Sequence, residues 1–185
     1  MLLVQIEIVV MEETMNNNKL MKSFKLWMGI IIAITIYYVI HEGTHFIQAI
    51  LTNNFDSIRI IGLAGIEIMI KDLPRGLSLA LFSGLSSLIT IVCGYILVII
   101  MPQIFMLSNK MIKIALYYIT VILLVLDPIY MSLIHRYVGG GDMNGITNGL
   151  GISSLPVSIV FGILAIMNIY IIIKKVHPAY KRNFL

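Results

Sequence analysis

The pentapeptide His41-Glu42-Gly43-Thr44-His45 sets two imidazoles four residues apart, with a carboxylate directly after the first. On a helix, positions i and i+4 share a face one turn apart, so both rings can reach a single zinc ion. Glu42 then flanks the metal. Zinc lowers the pKa of water towards neutrality, and a carboxylate beside that water can take its proton and later deliver it to a leaving amine. The pentapeptide lies within Leu26 to Leu51, an apolar stretch long enough to cross a bilayer. Ionisable side chains are costly in hydrocarbon, so their presence there marks a functional site. On a polar, soluble helix the same string would often be accidental.

Catalytic zinc usually takes three protein ligands, and His41 and His45 supply two. The remaining candidates on the correct side are Asp56, Glu67, Asp72, Asp127, His135 and Asp142. Asp142 leads. It sits in Gly139-Gly140-Gly141-Asp142-Met143-Asn144-Gly145, a glycine-dense break read as a loop that approaches a helix closely and turns sharply. Asp127 competes, because at 1.5 Å per residue it lies about 21 Å across from Lys113, close to the depth of His41, which is about 24 Å from Lys25. It can ligate the metal, or it can orient a histidine from behind. His135 reads as an interfacial residue beside Arg136. Asn144 is a candidate for hydrogen bonding near a substrate, with a plain turn role as its alternative.

The elements that must position these residues are membrane-spanning. Hydrophobic residues form 59% of the chain and charged residues 12%, with a mean hydropathy of +0.97, outside the range of a water-soluble domain. Four apolar segments follow one another: Leu26 to Leu51, Leu77 to Met101, Met111 to Ile134 and Ile152 to Ile173. Each has the roughly 20 residues a helix needs to cross a hydrocarbon core. Pro102 and Ser108-Asn109 mark a short turn between the second and third. The expected organisation is a lead-in at 1–25, a single transmembrane domain at 26–173 and a basic tail at 174–185. Within the lead-in, Met1 to Val10 is too short to span and lacks a basic leader, and Met15 is an alternative start.

The net charge of +4 comes from lysines and arginines near helix ends, which implies contact with anionic lipid and excludes a nucleic-acid surface. Lysines of the lead-in, Lys110, Lys113, Lys174, Lys175, Lys181 and Arg182 would share one side, against Arg59, Lys71, Arg75 and Arg136 on the other. The basic side, carrying both termini, is expected to be cytoplasmic, with the histidines nearer the outer face. Cys93 is the single cysteine, which rules out an intramolecular disulfide.

Between the first two spans, Ile58 to Gly62 and Gly65 to Lys71 are isoleucine-rich, partly alternating and bounded by glycine and by Asp72-Leu73-Pro74, which predicts a small hairpin. It either packs at the membrane surface or offers a strand edge that pairs with an extended peptide. The fold class is thus an all-α polytopic membrane protein of about four transmembrane helices, with a short β-hairpin-like segment after the first.

With HEGTH on the first span, a hairpin-like segment after it and an aspartate motif two spans later, the chain resembles the site-2 proteases, zinc metalloproteases that cut substrates within the membrane. The resemblance covers most of Leu26 to Ile173 and implies His41, His45 and Asp142 as zinc ligands and Glu42 as general base. It departs from the family in two places. The family commonly has an Asn-Pro-rich approach to Leu-Asp-Gly, whereas here Gly141-Asp142-Met143 and Leu126-Asp127-Pro128 stand apart, and the family's site lies nearer the cytosol than the lysine count puts this one. The expected function is an intramembrane zinc endopeptidase acting on single-span membrane proteins or remnant signal peptides. The alternative is a non-catalytic membrane protein that binds or moves metal.

Overall fold

The structure, a computed structural model, describes residues 2–61, 65–139 and 141–184. Gly62 and Gly140, which bear on the hairpin and the glycine-dense break, lie outside them. Helix α1 (Leu2–Leu51) leads into an antiparallel hairpin of β1 (Phe55–Ile61) and β2 (Gly65–Ile70). Helix α2 (Leu77–Ile99) and the short α3 (Met101–Met106) precede α4 (Lys110–Ile129), a π-helical turn (Tyr130–Ile134) and α5 (His135–Val138). Then come α6 (Gly141–Leu150), α7 (Ser154–Ile171), a second π-helical turn (Ile172–Val176) and α8 (His177–Phe184).

Four helical stretches are long and apolar enough to cross a membrane: Ser23–Leu51, Leu77–Ile99, Lys110–Val138 and Ser154–Asn183. The last two run beyond the spans expected at Ile134 and Ile173, because the π turns carry the helix onward instead of ending it. Leu81, Leu88, Val92, Ile163 and Ile166 are exposed, while Ser83, Ser86, Ser87, Thr90, Thr120, Ser158 and Asn168 are buried. This inverted polarity suits lipid as the solvent, with small and hydroxylated residues at the helix contacts.

Helix α4 is central, packing against α1, α2 and α7. Its start is capped by the Asn109 side chain, which accepts from the Met111 amide at 2.8 Å. Pro128 sits inside it and has no N–H to give the Leu124 carbonyl. Asn168 of α7 repairs this loss by donating Nδ2 to Leu124 O at 2.6 Å, and Tyr95 of α2 donates to the Asn168 Oδ1 at 2.5 Å. The π turn follows at once, with Ser132 Oγ donating to the Pro128 carbonyl at 2.6 Å.

The glycine-dense break differs from the loop expected at 139–145. Gly139, at φ 82°, makes the sharp turn, and from Gly141 the chain is helical. Packing explains why. Helix α6 lies against α2, and a Cβ at Gly149 would stand 2.5 Å from the Ala80 amide nitrogen and 2.7 Å from the Gly76 carbonyl oxygen. Only glycine permits that approach.

In the hairpin, Ile58 pairs with Ile68, Arg59 with Glu67 and Ile60 with Ile66. Side chains alternate across a strand, so the four isoleucines share one face and the Arg59–Glu67 pair takes the other. Asn54 closes the base: its Oδ1 accepts from the Asp72 amide at 2.8 Å, and its Nδ2 donates to the Asp72 carbonyl at 2.6 Å.

Candidate metal centre

His41 and His45 lie on one face of α1, both buried, with ring centroids 5.3 Å apart. Asp142, in the first turn of α6, reaches them from above. Its Oδ2 is 3.0 Å from His41 Nε2 and its Oδ1 is 3.4 Å from His45 Nε2. Two ligand atoms bound at about 2.0–2.1 Å to a tetrahedral zinc ion stand about 3.3 Å apart, so each imidazole lies near that spacing from one or other oxygen of the carboxylate. One atom from each of the three residues falls within 4.8 Å of the others. Two imidazole nitrogens and a carboxylate favour zinc over the oxygen-seeking magnesium and calcium. The residues therefore fit a zinc ion.

Asp142 is held ionised by the two histidines. Burial pushes its carboxyl up, but hydrogen bonds with His41 and His45 and their charges outweigh this and bring it down to about 2. The helix dipole at the α6 N-terminus acts in the same direction.

Asp127 lies on the opposite side of the His41 ring. Its oxygens are 3.3 and 3.4 Å from His41 Nδ1, and it stands outside the His41, His45 and Asp142 group. Tyr37 donates to Asp127 Oδ1 at 2.6 Å, and Thr90 donates to Oδ2. Neither hydroxyl was singled out by the sequence reading. Tyr37 carried a signal, being one turn before His41 on the same face. Thr90 carried a weaker one, as the last of a run of small polar residues (Ser83, Ser86, Ser87, Thr90) at helical spacing in an apolar helix.

The other candidates go elsewhere. Asp56 and Asp72 are exposed, and Asp56 accepts from the Ser57 hydroxyl at 2.9 Å. Glu67 is paired with Arg59 at 2.5 Å. His135 is buried on α5, and Asn144 is exposed on α6.

Glu42 lines an apolar cleft of about 550 Å³ between α1 and the hairpin. Thr35, Tyr38 and Phe46 form one wall, and Ile58, Ile60, Ile66 and Ile68 form the other. Of the pentapeptide, Glu42 and Gly43 line this cleft, while His41 and His45 are not among its lining residues. Comparisons with protein-family models, curated proteins and solved structures give no match, so the chemistry of the site rests on its own residues.

Proposed function

We propose that this protein is an intramembrane zinc endopeptidase of the kind its resemblance to site-2 proteases implies. The observation that carries the reading is Glu42: it follows His41 directly on α1, where His41 and His45 converge with Asp142, and its own side chain lines the apolar cleft. His41, His45 and Asp142 would hold the ion. When bound, zinc supplies Lewis acidity that polarises a peptide carbonyl and makes water easier to deprotonate. Glu42 takes a proton from the attacking water and returns it to the departing amine nitrogen as the C–N bond breaks. The isoleucine wall favours an apolar, extended stretch of substrate, and burial of the histidines limits access of bulk water. Substrates are membrane-spanning proteins or signal-peptide remnants.

The test pairs elemental analysis with cleavage of a single-span reporter by detergent-purified protein. Glu42→Gln should keep stoichiometric zinc and lose activity by about 10²–10⁴-fold, while His41→Ala should lose both. Cleavage by Glu42→Gln at the wild-type rate would refute the protease reading. Zinc binding without any cleavage by wild type would favour the metal carrier.

A further inference from the structure

We propose that Asp127, clamped by Tyr37 and Thr90, is a positioning residue that fixes the ring and the proton of His41, so that the Nε2 lone pair faces the ion. The inference rests on the metal reading above. The hydrogen-bond inventory leads to it. Tyr37 has one hydroxyl proton, and that proton goes to Asp127 Oδ1 at 2.6 Å. The Thr90 proton goes to Oδ2 of the same carboxylate. What remains facing His41 Nδ1 is acceptor capacity only: the carboxylate at 3.3 and 3.4 Å and the Tyr37 oxygen at 3.3 Å. Nδ1 can hydrogen-bond to either partner only by donating, so in the neutral ring that a metal requires the one hydrogen sits on Nδ1 and the Nε2 lone pair is aimed at the space beside Asp142 Oδ2, 3.0 Å away.

The placement fits this role and not that of a ligand. Nδ1 and Nε2 lie on opposite edges of the ring, so a carboxylate at Nδ1 does not share the ion held at Nε2. Asp127 is 1% exposed and Thr90 is fully buried, and a carboxylate at that depth persists only where donors satisfy it. Three donors from two helices do so: Tyr37 and His41 on α1, and Thr90 on α2. His45 differs, because its Nδ1 is buried and has no hydrogen-bond partner among the described residues. The bracing is therefore specific to His41.

The test uses full-length protein in detergent. Nitrogen-15 histidine spectra of zinc-loaded wild type should show His41 carrying its hydrogen on Nδ1 and holding the metal through Nε2; metal held through Nδ1 would overturn the proposal. Zinc affinity by chelator competition should fall about 10–100-fold in Asp127→Asn with one ion still bound at saturation. An unchanged affinity would overturn the proposal, and so would loss of the binding stoichiometry itself, which would make Asp127 a ligand. Should Asp127→Asn fail to fold, Thr90→Val and Tyr37→Phe decide: each should weaken zinc several-fold, and wild-type affinity in both would overturn the role. Wild type that binds no zinc removes the metal reading as well. Tight binding by wild type and Asp127→Asn alike removes the positioning role alone.

Discussion

His41 and His45 are equivalent in the sequence and unequal in the folded chain. One is gripped from behind by Asp127 and Tyr37, and the other rests by its ring on Phe82, with centroids 5.0 Å apart. Phe82→Ala should therefore act on zinc through His45 alone, adding its effect to that of Thr90→Val when both are measured by chelator competition. Asp142→Asn should cost far more zinc affinity than either, since it removes a charged ligand. Asn144→Ala should leave zinc content unchanged, because its side chain is exposed. The pentapeptide was legible because its spacing is local and its setting apolar. Asp142 was singled out by its glycine-dense setting in a chain short of acids, with Asp127 left as its competitor. The bond from Thr90 to Asp127 spans 37 positions and left no local trace, and a hydroxyl in an apolar helix reads equally well as packing.

Two devices hold the elements in register. The first is the close docking of α6 on α2. Gly149→Ala forces a Cβ against the backbone of Ala80 and Gly76, which cannot yield as a flexible side chain would. It should weaken zinc binding although it lies two turns from Asp142. Gly141→Ala meets nothing within 4 Å and serves as the control, with zinc affinity as the readout for both. The second is the Asn168 clamp. Asn168→Leu orphans the Leu124 carbonyl that Pro128 leaves unpaired, and should destabilise the fold by about 1–3 kcal/mol in denaturant titration in detergent. The spans and the hairpin were readable from length, apolarity and alternation. The helix at Gly141 was not, since glycine-rich composition argues for a loop, and only the α2 surface, which asks for residues without side chains, makes the helix favourable.

At the scale of the molecule, polar groups line the helix contacts and apolar groups face outward, so the bilayer completes the fold. Four helices, among the described residues, are long and apolar enough to cross a membrane, and the lysine distribution predicts that both termini lie on the cytoplasmic side. In a Cys93→Ser background, a membrane-impermeant thiol reagent applied to intact cells should label Asp72→Cys and spare Asn109→Cys; the reverse pattern would invert the orientation.

The pairing of His41 on α1 with Asp142 on α6 also has a consequence in time. Asp142 follows His41 by 101 residues, a delay of about 5–20 s at ordinary synthesis rates. Through that interval the histidine pair waits in the membrane without its carboxylate partner. On the proposed reading, a chain cut short before α6 should bind zinc weakly and cleave nothing, which elemental analysis of a protein ending at Val138 checks.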